Sequence, residues 1–550
     1  MQKLPIGIQS FENLRDGGFL YVDKTKEMHR MATSGSVFFL SRPRRFGKSL
    51  LLSALEALFK GEKRLFEGLY IYDKWDWEEH FPVIRLDFGG RAYSSGEELN
   101  RSLTSFVELT AKSYQLSLEE CTLPDKFREL LEKLHHATGR KAVVLVDEYD
   151  KPITDHLSSL EVAEANRKTL QAFYQVLKAA DEHLRFIFLT GVSKFSKVSI
   201  FSGLNNLNDI TMDDKYATIC GYTQAELESC FDEHIREMAE HHKQTRDEII
   251  AEIRHWYNGY SWDGATSVYN PFSTLLLFDK KMFVDYWFAT GTPTFLVNLI
   301  KERNDAKALL EPVLMQSSGF DSFEYQTLDS KLLSFQTGYL TVKKREKSMF
   351  DNTLVYTLGF PNEEVRQALV AHLVGSYAAC PASDAFSLRE RMMRQLFEGS
   401  SSAFERSAQE MFARIPYQLH VPREAYYHSL LLLWLNLLGF KVEAEISTDK
   451  GRIDAVWTWG DRVVIAEVKY SIQKKAEPLV EKAFAQLLDR RYHERYAGEG
   501  KRILLLAVAF AGKEVACSMK ELPDSAHSAA NQPKKILPNN HPQKISPKTK

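Results

Sequence analysis

The chain has 550 residues, 44% of them hydrophobic and 26% charged, with a net charge of −2. That length exceeds a single core and predicts three or four domains, while the near-neutral charge excludes a global basic field, so any nucleic-acid binding rests on local patches. Five scattered cysteines (Cys121, Cys220, Cys230, Cys380, Cys517), never spaced C-x-x-C, exclude a disulfide framework and a zinc site and point to a reducing compartment.

In chain order, Phe19 to Thr25 reads as a short strand-like run into a helix cap. The apolar run Val37 to Leu40 then leads into S-R-P-R-R-F-G-K-S-L-L-L at Ser41 to Leu52, followed by Leu55 and Phe59 at helical spacing. This is strand, loop, helix. A loop so placed, with Arg45, Phe46, Gly47, Lys48 and Ser49 at its end, turns backbone N–H groups and a helix N-terminus toward one point and favours a polyphosphate. Lys48 would reach the β- and γ-phosphates, and Ser49 would ligate Mg²⁺. The G-x-x-x-x-G-K-[ST] pattern is met except at its first position, which holds Arg42. Gly-Lys-Ser also occurs in ordinary loops, so a second motif is needed to decide.

Pro82 to Phe88 reads as a second strand, stopped by Gly89-Gly90. The deciding motif is V-V-L-V-D-E-Y-D at Val143 to Asp150, a buried parallel strand that ends in carboxylates. Asp147 would hold Mg²⁺ through its water shell, and Glu148 would orient and deprotonate the attacking water. Leu184 to Gly191 is another buried strand, and Thr190 at its end is the candidate γ-phosphate sensor, with Ser193 in reserve.

After an Asn-rich loop (Gly203 to Asp209), helices are expected from Gln224 to about Trp256. The aromatic, turn-rich stretches Trp256 to Tyr260 and Tyr269 to Phe272 suit packing under a loop better than base stacking. Residues 280–410 read as mostly helical, winged-helix-like, with a hairpin at Gly338 to Val342 and Leu354 to Tyr356.

Near the C-terminus, Glu424 opens an apolar helix that Gly439 ends. Strands at Phe440 to Ile446, Gly451 to Trp457 and Asp461 to Tyr470 follow, then a helix from about Leu479 and a buried strand at Ile503 to Phe510. The order is α-β-β-β-α-β. Glu467 and Lys469 lie two apart on one strand and share a face, and antiparallel pairing would bring Asp454 to Glu467. Asp454 and Glu467 would bind Mg²⁺ as hard oxygen ligands, with Glu424 as a further ligand or a support for one. Lys469 would orient or deprotonate water and offset charge on the transition state, and Gln486 would face the same place.

With these residues in hand, the chain resembles bacterial proteins that join an AAA-ATPase-like domain to a C-terminal PD-(D/E)XK nuclease-superfamily domain. The resemblance rests on Tyr21 to Thr25, Arg42 to Ser49, Val146 to Asp150, Thr190 to Phe195, Trp256 to Tyr260, Asn270 to Phe272, Gly338 to Thr341, Phe360 to Val365, and the set Asp454, Glu467, Lys469. It implies that Arg42 in place of the first glycine is a family trait. ATP bound by Lys48 and Ser49, and a nuclease signature on Asp454, Glu467 and Lys469, are implied with it.

The expected fold is therefore α/β: a P-loop sheet in residues 1–222, a helical, winged-helix-like connector in 223–410, a restriction-endonuclease-like α-β-β-β-α-β domain in 411–512, and a disordered tail in 513–550. The tail is proline- and lysine-rich with few apolar residues. ATP and Mg²⁺ are the expected cofactors, DNA the expected partner, and a homo-oligomer through the ATPase domain the expected assembly. With no N-terminal signal-like segment and no apolar run of membrane-spanning length, a cytoplasmic protein without a membrane partner is expected. The leading function is ATP-regulated cleavage of DNA. The alternatives are a nucleotide-gated switch without turnover, favoured by tight ADP binding at Arg42, Arg44 and Arg45, and a DNA-binding module that keeps the C-terminal fold without catalysis.

Overall fold

The computed structural model describes residues 1–522 apart from short segments, the longest of which are 195–205, 288–293, 321–328 and 414–423. The chain divides into two compact units, Met1–Ser376 and Tyr377–Lys550.

The first unit is built on five parallel strands: β1 (Val37–Ser41), β2 (Val83–Asp87), β3 (Ala142–Asp147), β4 (Leu184–Gly191) and β5 (Asn208–Asp209), in spatial order β2-β3-β4-β1-β5. This is a P-loop arrangement. Strands β1 and β3 are buried along their whole length, as a parallel sheet covered on both faces requires, which is why they read as unbroken apolar runs. Alternate residues Val37 and Phe39, Val144 and Val146, Ile187 and Leu189 share one core with the helices Gly96–Ser113, Leu123–Thr138 and Leu160–Ala179. Phe38 and Phe186 turn to the other face, where Phe186 meets Phe59 at 4.9 Å. Ser95 and Thr122 cap the first two of those helices through Glu98 N and Asp125 N.

Residues 223–376 fall within this first compact unit. Capping boxes at Thr223 and Thr245 start the helices Gln224–Cys230 and Arg246–Tyr257. Their core takes in Leu20 and Val22 from the N-terminal segment, and Lys24 pairs with Glu226 at 2.7 Å. The expected hairpin is part of a three-stranded antiparallel sheet of β6 (Val313–Gln316), β7 (Thr341–Lys347) and β8 (Leu354–Gly359), ordered β6-β8-β7.

The second unit carries a mixed sheet, β13-β12-β11-β10-β9, of β9 (Glu443–Thr448), β10 (Gly451–Trp459), β11 (Arg462–Tyr470), β12 (Arg502–Ala511) and β13 (Glu514–Leu522). Strands β11 and β12 are parallel and the other pairs antiparallel. Helix Ala476–Asp489 packs on it. Two boundaries differ from the sequence reading. Residues 514–522 form a paired strand instead of the start of a tail, and the unit begins well before residue 411. One contact set explains both. Helix Ser401–Ala413 covers the β13 edge: Cys517 N donates to Glu405 Oε2 (2.8 Å), Met519 N to Ser401 Oγ (2.9 Å) and Gln409 Nε2 to Val515 O (2.8 Å). The rest of the expected tail, 523–550, lies outside the described residues. Among the described residues no helix is long and apolar enough to cross a membrane.

Candidate functional site

The C-terminal ends of β1 and β3 open onto a cavity of about 780 Å³. Arg44, Arg45, Gly47, Lys48, Ser49 and Glu148 line it from the sheet side, and Phe272, Trp287 and Tyr339 from the region that follows. Gly47 starts helix Lys48–Phe59 in the left-handed region (φ 87°), a conformation that glycine adopts without strain. Gly47 and the first residues of that helix, Lys48, Ser49 and Leu50, line the cavity, and a helix N-terminus so placed suits an anion.

Lys48 is 6% exposed. Its ammonium donates to the carbonyls of Arg42 and Pro43, each at 3.0 Å, and burial lowers its pKa against the opposing pull of Asp147 and Glu148. Asp147, 1% exposed, accepts at Oδ1 from Glu148 N at 3.1 Å and lies beside Ser49, and burial raises its carboxyl. Its Oδ2 is buried with no hydrogen-bond partner among the described residues. A buried carboxylate oxygen lacking a donor beside a serine hydroxyl fits a hard cation such as Mg²⁺. Glu148 faces the cavity with φ 52°, and its carboxyl too is raised by burial.

Thr190 is placed differently from the sensor expectation. Its hydroxyl, wholly buried, donates to Leu40 O at 2.9 Å, because β4 lies directly beside β1 and Thr190 is in register with Leu40. The cavity is bordered by Val192 and Ser193 instead, and Ser193 Oγ donates to Asp150 Oδ2 at 2.5 Å.

Arg42 explains the missing glycine. Its guanidinium is fully buried and turned into the protein: Nη1 donates to Ser41 O and Thr211 O, both at 2.9 Å, Nη2 to Tyr216 O at 3.2 Å, and the group lies 3.8 Å over the Trp262 ring. Burial lowers its pKa to about 10. Of the three loop arginines, Arg44 and Arg45 line the cavity and Arg42 does not. Replacing Arg42 with alanine is expected to destabilise the first unit by about 3–5 kcal/mol, since three buried carbonyls lose a donor and a void opens; chemical unfolding followed by tryptophan fluorescence measures it.

The aromatic stretches pack beneath this loop. Phe46 meets Tyr260 and Trp262 at 4.8 and 5.5 Å, so its ring is core, and Phe46 is not among the residues that line the cavity. Arg45 lies 3.7 Å over Phe272, and Trp287 Nε1 donates to Arg44 O at 3.2 Å.

In the second unit, the antiparallel ladder between β10 and β11 ends at Ala455 opposite Ala466, so Asp454 and Glu467 are the next residues along each strand. Asp454 Oδ2 accepts from Val468 N at 2.8 Å. Glu467 is 1% exposed, and its Oε1 accepts from Lys469 Nζ at 2.6 Å and from Gln486 Nε2. Asp454, Glu467, Lys469 and Gln486 are thus gathered at one end of the sheet. Two carboxylates of hard oxygen donors suit Mg²⁺, and the ammonium beside them suits a phosphate oxygen. Glu424 begins helix Glu424–Leu437, but its side chain lies outside the described residues. His428, four residues on, was not singled out from the sequence; its Nε2 is 3.0 Å from Asp454 O. The helical i, i+4 spacing from Glu424 is the signal that points to it.

Comparison with known proteins finds a family match over each of the two regions that carry these residues. Residues 5–201 match the family described as "Predicted AAA-ATPase", and residues 422–520 match the PD-(D/E)XK nuclease superfamily. The chain is 39% identical over 518 residues to the "Uncharacterized protein in vnfD 5'region" of Azotobacter chroococcum mcd 1, which covers 92% of this chain and 96% of the relative. With whole-length similarity of that order to a relative and both domain matches in this chain, it belongs to the family that joins an AAA-ATPase-like domain to a C-terminal PD-(D/E)XK nuclease-superfamily domain.

Proposed function

We propose that the protein binds and hydrolyses ATP with Mg²⁺ in its first unit and cleaves DNA with Mg²⁺ in its second, the nucleotide state regulating the cleavage. The observation that carries this reading is a pair of separate phosphate-handling clusters in one chain. One sets Lys48, Ser49 and Glu148 on a single cavity, with the buried, unpartnered Asp147 oxygen close to Lys48 and Ser49. The other sets Glu467, held by Lys469 and Gln486, beside Asp454.

In the first cluster Lys48 would exchange its two loop carbonyls for phosphate oxygens, and Glu148 would take the proton of the attacking water. In the second, Asp454 and Glu467 would hold the metal, and Lys469 would offset charge on the phosphate undergoing attack. Bound there, Mg²⁺ supplies Lewis-acid stabilisation of the phosphate and of the departing oxygen.

Supercoiled plasmid incubated with the full chain, Mg²⁺ and ATP tests this directly. Nicked or linear product that needs Mg²⁺ and changes with ATP supports it. Intact plasmid with Mg²⁺ or Mn²⁺, with and without ATP, overturns the nuclease half. Assembly through the ATPase domain belongs to the same proposal, and mass measurement with and without ATP reads it.

A further inference from the structure

Glu364, on the Phe360 to Val365 stretch, is 0% exposed and is assigned nothing by the ATP or nuclease chemistry. It lies in the first turn of helix Glu363–Ala378, where Asn362 Oδ1 accepts from Val365 N at 3.1 Å and Pro361 O accepts from Lys343 Nζ at 2.8 Å. The turn that carries it is therefore held on both sides.

The Glu364 Oε1 accepts two bonds, from Ser273 Oγ and from Trp287 N, each at 2.9 Å. Each donor is one step from the nucleotide cavity. Ser273 follows Phe272, whose ring carries Arg45 at 3.7 Å, and Trp287 donates through Nε1 to the Arg44 carbonyl at 3.2 Å. Phe272, Trp287, Arg44 and Arg45 all line the cavity. No ion pair to Glu364 is present among the described residues, and an uncompensated buried carboxylate costs stability that a neutral side chain of similar shape would not. Such a cost points to a task.

We propose that Glu364 is a positioning residue for the nucleotide cavity: by holding Ser273 and Trp287 on one oxygen, it sets Phe272 and Trp287 against the phosphate-loop arginines and so tunes affinity for a nucleoside di- or triphosphate. This rests on the ATP-binding reading.

The surroundings make the hold pH-sensitive. Burial pushes the Glu364 carboxyl up to about 7, against the lowering effect of the Trp287 amide and the Ser273 hydroxyl. The titratable groups that face it are Asp285 and Tyr286 on the segment before Trp287, and Tyr257 and Tyr260 from the helix Arg246–Tyr257 and the loop after it. His372, on its own helix, faces Asp285, and burial lowers the pKa of that imidazole. Of these only His372 can become cationic. Ionised Glu364 binds both donors through charge-assisted hydrogen bonds, and the protonated acid binds them less strongly.

The test uses the full chain and its Glu364→Gln variant, in which an amide oxygen still accepts both bonds but cannot ionise. Between about pH 6 and about pH 8 the parent is expected to gain about tenfold more in affinity for a fluorescent ADP analogue than Glu364→Gln does. A second readout needs no nucleotide: acrylamide quenching of the parent should show a step over the same pH range that Trp287→Phe and Glu364→Gln each abolish. That step would support the proposal even if the parent bound no ADP, a result that would count against the ATP reading alone. Parent and Glu364→Gln sharing the same pH dependence of quenching would overturn it.

Discussion

Changing Glu148 to glutamine is expected to slow ATP hydrolysis by about 10²- to 10⁴-fold while leaving nucleotide binding within a few-fold, because only proton transfer to the side chain is lost. The amide keeps the size of the carboxylate and its place at the end of β3, where Glu148 lines the cavity with Lys48 and Ser49. Burial raises the Glu148 carboxyl above the ordinary range, which makes it a stronger base at neutral pH than an exposed glutamate. A base must be ionised to act. The parent's rate should therefore fall as pH drops through that raised value, and the residual rate of the variant should lack the limb. Phosphate release measured against pH, with binding of a fluorescent nucleotide as the control, decides the matter; equal turnover by both proteins would remove Glu148 from the chemistry.

Asp454→Asn is expected to lower plasmid cleavage by on the order of 10³-fold with DNA binding little changed, since loss of a metal-holding charge forfeits several kcal/mol of transition-state stabilisation. Asparagine is the informative replacement because its oxygen can still accept the Val468 amide, the bond that Asp454 Oδ2 makes at 2.8 Å. Alanine would lose that bond as well and confuse folding with chemistry. Calorimetric titration of Mg²⁺ or Mn²⁺ into the two proteins separates metal loss from DNA loss. Cleavage by the variant at the parent's rate would leave the second unit without the proposed site.

The local signals in the chain were strong where physics is local. Unbroken apolar runs ending in polar residues marked β1, β3 and β4, since strands covered on both faces need apolar side chains on each. Gly47 before an apolar helical pattern placed the phosphate loop. The two-residue periodicity of β11 put Glu467 and Lys469 on one face, and they meet at 2.6 Å. Strand β13 escaped notice because its wholly buried stretch is only Val515, Ala516 and Cys517. Such a segment becomes a strand only when β12 pairs with it and Glu405 and Ser401 cover its edge.

The sequence by itself determined the α/β class, the residues of the two proposed sites and their order along the chain, because each depends on neighbours in sequence or on a strand's fixed alternation. Tertiary structure alone decided the direction of Arg42, the engagement of Thr190 by Leu40, the inclusion of residues 223–376 in the first unit, and the approach of Glu364 to the cavity through Ser273 and Trp287. Each of those is a contact between residues far apart in the chain, set by which elements pack together, and no spacing rule along a single segment encodes it.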